Sequence, residues 1–575
     1  MSCVTVQLGQ CGNQLGCVLN DTLFTHLAGD KNESGESGKR RQRRLALERY
    51  FTRAEPTNDS SLGADNPERF YARSVLVDME TKVVQKCMQH VGTVGKQSTS
   101  AMQVKAKEEK KRRQINMARK KTRTSRGARG GARNLLKSTT TLEEASLPIS
   151  SSSMDTSSWS YRPNAAFVRH SGSGNNWAAG YNTHADGPHG AGNKVMGIIR
   201  MEAEQSDFGV RSFLLLQSLA GGTGSGVGAR VSELLRDEYG NRSTIANALV
   251  APYSAGEVSV QLYNSLLTLT HTSPSSDAVF VFRNDQIQSI CQTRMRLTHP
   301  SFEDLNSVIA GHLASSVLLP STSWSTTQSG ATNSGLEDAV RHLCAHPSYR
   351  MLGIKMLPVG AAGDQRFDTS TWKGMLRRLH QMQMDPDAYM EDCIDWSLSS
   401  GTTSSRSSTT SSTSSVPEAN TPPVRLGSLG VNRTLAATLV LRGIDAMTTL
   451  EPEQSNRDKT KEGIEDRNGQ ERFRYPPSNW SKTPGMFLTH LLPSSASPLD
   501  VRTDGHSYNF WERSASIVSN SQTIVTPLRR ILENGREMFE ANAYVHQYET
   551  HGFQRDDLNE AFEQMSQIVH DYSNI

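Results

Sequence analysis

Nine consecutive residues carry the clearest chemistry in this sequence: Ala220-Gly221-Gly222-Thr223-Gly224-Ser225-Gly226-Val227-Gly228. Missing β-carbons let backbone N–H groups approach phosphate oxygens, and a helix that follows adds the positive end of its dipole. Thr223 and Ser225 supply hydroxyl donors, with Ser218 just upstream. The apolar run Phe213–Gln217 before the loop reads as a buried strand, and Gly228–Tyr239 after it as an amphipathic helix. A tight turn rarely needs so many glycines, so the segment is read as a cradle for a nucleotide triphosphate.

Known phosphate motifs narrow the reading only in part. A Walker loop requires G-x4-G-K-[ST]; around Gly38-Lys39, Glu33 stands where the first glycine belongs and Arg40 where Ser/Thr belongs. The kinase catalytic-loop string H-R-D does not occur, so the lone Asp207-Phe208-Gly209 has no kinase partner. Gly224-x-Gly226-x-x-Ala229 weakly matches a dinucleotide fingerprint, but Thr244–Tyr253 lacks the ribose-binding acid. An NAD-dependent oxidoreductase stays open on that match alone.

The elements that must position the loop can be read around it. Val4–Leu8 alternates like a strand and runs into Gly9-Gln10-Cys11-Gly12-Asn13-Gln14, then a helix over Leu15–Leu27. Ala72–Asp78 reads as a strand ending in acids, Ile198–Glu204 as a helix, Ala246–Ala251 and Ala278–Phe282 as short strands. Strands alternating with helices predict an α/β fold with a mostly parallel sheet. Phe302, Leu305, Val308, Ile309, Leu313 and Val317 recur at helical spacing, and apolar or small residues on the other faces predict a buried helix. A second α/β region follows to about Ser519, and two helices close the chain near Leu528–Tyr544 and Arg555–Tyr572. The expected domains are 1–300, with insertions at 29–68 and 97–162; 301–525, with insertions at 397–425 and 451–484; and 526–575.

Composition bounds the rest. A chain of 575 residues with 35% hydrophobic content suggests folded domains diluted by polar, disordered insertions. Lys105–Lys137 holds 14 basic residues against Glu108 and Glu109, a local charge of +12 within a chain of +4, so the remainder is acidic. Such a segment suits acidic protein tails, nucleic acid or nuclear import factors, and it lacks the interleaved aromatics of a single-strand binder. The seven cysteines form no C-x-x-C pair, and their spacing suggests neither zinc ligation nor a disulfide framework. No stretch approaches the ~20 apolar residues of a membrane span, and no signal peptide is evident, so an intracellular location is expected.

The G-G-T-G-S-G string at 221–226 resembles the signature of the tubulin family, and other motifs follow in order. Gly9–Gln14 resembles the first nucleotide loop of that family, Val77-Asp78-Met79-Glu80 the second, and Ser171-Gly172-Ser173-Gly174-Asn175-Asn176-Trp177-Ala178 the third. Pro252-Tyr253, Tyr263-Asn264-Ser265, Val518–Gln522 and Ala543-Tyr544-Val545-His546-Gln547-Tyr548 look like the delta branch. The resemblance implies a Rossmann-type GTP-binding domain, an intermediate α/β domain and a C-terminal helical hairpin. It implies GTP and Mg2+ as ligands. Gln10, Cys11, Gln14, Asn175, Ser218, Gly221, Gly222, Thr223, Gly224 and Ser225 would hold the nucleotide, Asn284 and Asn306 would read guanine, and Glu257 would reach the ribose in place of Gln261. Gln10 and Glu80 would serve the metal, a carboxylate being the hard oxygen ligand magnesium prefers.

The same resemblance implies head-to-tail partners among other tubulin subunits and microtubule walls, with Asp338 completing a neighbour's site for GTP hydrolysis. Family alpha chains use Glu there, one methylene longer. It further implies a cytoskeletal role at centrioles and basal bodies, in triplet microtubules and hence in cilia or flagella. A non-polymerising GTP-bound regulator or adaptor at the centriole is the alternative.

Overall fold

The computed structural model describes residues 2–28, 37–54, 68–93, 157–184, 190–206, 209–254, 256, 260–323, 335–359, 372–384, 432–444, 446, 499–509 and 511–575. Its strands in chain order are β1 (Ser2–Leu8), β2 (Phe51–Arg53), β3 (Arg69–Ala72), β4 (Ser74–Asp78), β5 (Gly92–Thr93), β6 (Ser158–Tyr161) and β7 (Ala166–Val168). There follow β8 (Val210–Ser218), β9 (Thr244–Ala251), β10 (Ala278–Arg283), β11 (Thr322–Ser323), β12 (Met351–Leu357), β13 (Thr434–Gly443), β14 (Leu499–Asp504) and β15 (Arg513–Ser521).

Eleven of them form one sheet, in the order β11-β14-β13-β15-β12-β10-β9-β8-β1-β4-β7. From β7 to β12 every pairing is parallel. Helices cover both faces of this half, which is why β1 is buried at every position. Beyond β12 the sheet turns mixed, with β15 antiparallel to both neighbours. The two expected α/β regions thus share a sheet, joined by the short β10–β12 pairing at Val279–Met351 and Phe280–Leu352. Buried Arg442 ties the second half to the end of the core helix: its guanidinium donates to the carbonyls of Ser315 (2.8 Å), Leu319 (3.0 Å) and Pro320 (2.8 Å) and to Asp504 (2.6 Å).

Two segments read as insertions hold more structure than expected. Within 29–68, Ser37–Tyr50 forms a helix that runs into β2, and Leu47, Tyr50 and Phe51 are buried. Its Lys/Arg-rich first half hid the apolar residues of its second half. At the end of 97–162, Trp159 and Tyr161 on β6 fill a small sheet ordered β2-β3-β6-β5. Phe51 and Trp159 meet edge to face at 5.9 Å. The predicted strand 72–78 is two strands: the chain leaves the small sheet at Ala72 and enters the large one at Ser74. The Lys105–Lys137 run and the segments 397–425 and 451–484 lie outside the described residues.

The core helix spans Phe302–Leu313 and continues as a wider helical turn over Ala314–Leu318. Ser301 and Asp304 close a capping box at its start, Ser301 N–H donating to Asp304 at 2.8 Å. His312 on this helix is 2% exposed, and neither ring nitrogen has a hydrogen-bond partner among the described residues. Burial lowers its pKa from 6.5 to about 4. The unfolded chain therefore binds a proton that the fold refuses. Stability is full above pH 6.5 and falls by roughly 3 kcal/mol as pH drops toward the folded pKa. His312→Leu is expected to flatten that acid arm and to add about 1–2 kcal/mol at neutral pH by removing an unsatisfied buried group. Urea unfolding at pH 5 and 7.5 checks both; an unchanged pH slope would contradict the assignment.

Candidate nucleotide-binding site

β4, β1 and β8 are adjacent and parallel, so the loops that follow them emerge at one carboxyl edge, where open α/β sheets bind ligands. The loop after β1 turns at once into helix α1 (Gly9–Ala28), with Gly9 at φ +70°. A β-carbon on Gly9 would lie 2.8 Å from Gly224 N, so only glycine lets the two loops touch. Asn13 ties the first loop to the second, its amide donating to Gly9 O (2.9 Å) and Val77 O (3.1 Å).

After β4, the Asp78 carboxylate accepts the backbone N–H groups of Met79 (2.8 Å) and Glu80 (3.4 Å). Desolvation nevertheless pushes its pKa up to about 6. Glu80 is exposed, and a β-carbon on Gly172 would sit 3.3 Å from its carboxylate. The second loop thus meets the third. Gly174 and Asn175 both take positive φ there, 56° and 55°. Ser173 Oγ lies 3.3 Å from Thr223 Oγ1, joining the third loop to the glycine loop.

The glycines of that loop divide in two. A β-carbon on Gly222 would lie 2.6 Å from Ser173 Cβ and 2.7 Å from Asn176 O. On Gly226 it would collide with Trp177 O, and on Gly228 with the buried Gln217 side chain. On Gly224 it would crowd Leu8 O at 3.2 Å. These glycines permit loop-on-loop packing. Gly221 is different: it has ordinary extended geometry, φ −87° and ψ 159°, and no described residue lies within 4 Å of where a β-carbon would be. Ser225 donates its hydroxyl to Gly221 O, so it holds the turn, and Ser218 Oγ accepts Ala220 N–H at 3.2 Å.

Behind the loops stands Asn264, on the helix Gln261–Ser275 and fully buried. Its amide donates to Ala220 O (2.6 Å) and Asn175 O (2.7 Å). Its carbonyl accepts from Trp177 N–H (3.0 Å) and Tyr548 OH (2.6 Å). Two donors and two acceptors are all an asparagine has, and all are used. The Tyr263-Asn264-Ser265 and Ala543–Tyr548 strings, far apart in sequence, meet at this bond.

The remaining candidates are placed as follows. Gln10 is exposed in the first turn of α1, with Cys11 and Gln14 half-buried beside it. Burial pushes the Cys11 thiol up to about 12, which makes it a neutral packing group. Asn284 begins the helix Asn284–Thr293, and Asn306 lies buried on the core helix against which that helix packs. Glu257 lies outside the described residues. Asp338 is elsewhere. It sits, 47% exposed, in the first turn of the helix Leu336–Leu343, 3.5 Å from Arg341. Its neighbour Glu337 faces inward and accepts a 2.9 Å bond from Ser212, near the start of β8. The glycine loop leaves the other end of β8, about 20 Å away at 3.3 Å per residue. Asp338 therefore stands at the opposite sheet edge from its own chain's cradle.

Three residues gained roles only here. Asn264 appeared in a motif without a function. Asp78 was noted as a strand-ending acid, while only Glu80 was assigned. Phe302 read as the first residue of a buried stripe, yet it is 62% exposed, with Tyr253 at 6.4 Å. Its position directly after the Ser301 cap, one turn before Asn306, was the available signal.

Residues 139–292 match the Tubulin/FtsZ family, GTPase domain. The tubulin delta chain of Macaca fascicularis is 31% identical over the whole of both chains, and that of Homo sapiens is 31% identical with the same full coverage. The tubulin beta-1 chain of Geotrichum candidum is 24% identical, over 72% of this chain and 76% of that one. The weak dinucleotide match at Gly224–Ala229 gives way to this larger agreement. With cradle, sheet order and full-length similarity in accord, the chain belongs to the tubulin family, as a GTP-binding subunit of the delta-tubulin type.

Proposed function

We propose that this subunit acts in the assembly or stability of triplet microtubule walls at centrioles and basal bodies, and so in forming cilia or flagella. The observation that carries the reading is the 31% identity to tubulin delta chains along the entire chain. A tagged copy in a flagellated cell is expected at basal bodies; uniform cytosolic signal would count against the role.

GTP would rest on backbone N–H groups around Gly221 and Gly174, with Thr223, Asn175, Gln10 and Ser218 at its phosphates. Cys11, Gln14, Asn284, Asn306 and Phe302 would surround the base and sugar. The residues also fit magnesium: Asp78 and Glu80 place two carboxylates at one loop, and desolvation opposes the charge on Asp78 unless a cation answers it. When bound, the metal offsets phosphate charge. Gln10 and Glu80 would hold it, with Asp78 behind.

Hydrolysis would need a second subunit, because Asp338 lies at the edge away from its own cradle. Head-to-tail stacking brings such an edge to a neighbour's cradle, where one carboxylate can orient or deprotonate water. Asp338→Ala is expected to lower partner-stimulated GTP turnover about 100-fold while leaving this chain's own nucleotide affinity unchanged. Turnover with and without alpha/beta subunits measures it, and equal rates for both proteins would refute the trans acid. The second reading, a non-polymerising regulator or adaptor, draws on the Asp338–Arg341 pair, which already occupies that carboxylate; absence of any partner stimulation would favour it.

A further inference from the structure

Away from the nucleotide loops, three potential metal ligands from two parts of the sequence converge, with a second cysteine, Cys87, beside them. Cys17 and Asp21 are four residues apart on α1, hence on one helix face. Cys87 lies in the last turn of helix α3, counted after α1 and the Ser37–Tyr50 helix α2, and spanning Thr81–Met88; His90 follows just beyond. Ligand atoms of Cys17, Asp21 and His90 all lie within 4.8 Å of one another. His90 Nε2 meets the Asp21 carboxylate at 2.9 Å, and Cys87 neighbours Cys17 across the two helices.

We infer that Cys17, Asp21, Cys87 and His90 form a structural zinc site that clamps α1 to α3. Donors at zinc-ligand distances of about 2.0–2.3 Å around a tetrahedral ion stand roughly 3.3–3.8 Å apart, so Cys17, Asp21 and His90 close on an ion with small side-chain adjustments, and Cys87 completes the set by turning its thiol from Asn13 O toward Cys17. Two sulfurs and an imidazole select zinc over magnesium or calcium. Four protein ligands leave no open position, which marks a structural site. The surroundings are built as well. The Trp159 indole N–H donates to Asp21 Oδ1 at 3.0 Å and orients the carboxylate, as partners of metal ligands do. Trp159 is 1% exposed, while the Asp21 and His90 side chains are 22% and 35% exposed, so the cluster is walled on one side and reachable from the other.

Placement gives the clamp a consequence. α1 begins with Gln10, Cys11 and Gln14, and α3 begins directly after Glu80. Cys17 is about 9 Å along α1 from Cys11. Cys87 Sγ also reaches Asn13 O at 3.6 Å, and Asn13 pins the first two loops together. The zinc thus ties the middle of α1 to the end of α3, two helices whose first turns carry the nucleotide loops.

The test uses the full-length chain, purified without chelator and analysed by elemental mass spectrometry. About one zinc per chain is expected, with Cys17→Ser and His90→Ala each reduced to a trace and Cys344→Ser unchanged. Cobalt added to chelator-stripped protein should give a thiolate charge-transfer band and tetrahedral visible bands that Cys17→Ser lacks. Folded wild-type chain that contains no zinc and gives no cobalt bands overturns the proposal. So does a Cys17–Cys87 disulfide in the isolated protein, or full zinc retention by both variants. Should those variants fail to fold, Asp21→Asn preserves the shape of the site and is expected to weaken zinc at least about tenfold in competition with a chromophoric chelator; unchanged affinity also overturns it.

Discussion

Asn264→Leu should destabilise the fold by about 3–5 kcal/mol and strip the protein of bound nucleotide. The side chain is fully buried, and its four hydrogen bonds are the shared anchor of the glycine loop, the third loop and the C-terminal segment. Leucine would leave the carbonyls of Ala220 and Asn175 and the N–H of Trp177 without partners in a dry interior. Each such group costs about 1–3 kcal/mol, and the costs are not additive because the loops relax together. Asn264→Asp should be no better, since a carboxylate oxygen would then face two carbonyl oxygens. Tyr548→Phe removes one bond and should cost about 1–2 kcal/mol. A double-mutant cycle between the two positions isolates the bond that couples nucleotide loops to the C-terminal segment. Urea unfolding and nucleotide retention through gel filtration are the measurements. Asn264→Leu within about 1 kcal/mol of wild type, with nucleotide retained, would show that the loops do not depend on this anchor.

The glycine loop yields the second large effect, as a contrast. Gly226→Ala forces a β-carbon into Trp177 O and to 2.9 Å from Tyr181 N, and backbone atoms cannot swing aside. A loss of about 3 kcal/mol or more is expected, because the third loop must separate from the glycine loop. Gly221→Ala meets no described residue within 4 Å, and its extended φ and ψ suit alanine. Its stability should stay within about 0.5 kcal/mol of wild type. Its methyl group would instead enter the space assigned to phosphate, and GTP affinity should fall at least tenfold, about 1.4 kcal/mol. Thermal melts and titration with a fluorescent GTP analogue separate the two. Normal GTP affinity in a stable Gly221→Ala protein would remove Gly221 from the cradle.

These two glycines show where sequence reading succeeds and where it stops. Their clustering between a strand and a helix was legible, because backbone proximity to phosphate needs residues without β-carbons. Which of them faces ligand and which faces protein was not, since that depends on loops from residues 9, 173 and 177. The helix Gly228–Tyr239 was readable to its ends because one apolar face repeats cleanly. The helix Ser37–Tyr50 was not, because its charged first half masks Leu47 and Tyr50.

The cysteines make the same point about distance. Read along the chain, they are scattered and show no ligand spacing. In the fold, α1 and α3 lie side by side, and Cys17 comes to within 4.8 Å of a ligand atom of His90, 73 residues on. Local patterns encode what neighbours along the chain impose: strand alternation, helix faces, caps and a glycine loop. By itself the sequence therefore determined the parallel α/β order, the phosphate loop and the family motifs. Only the tertiary structure decided that Asp338 faces away from its own cradle, that Asn264 binds loops to C-terminus, that Phe302 is exposed and that Cys17, Asp21 and His90 converge. Each of those depends on which helix packs on which side of the sheet, a choice made by the burial of the whole core.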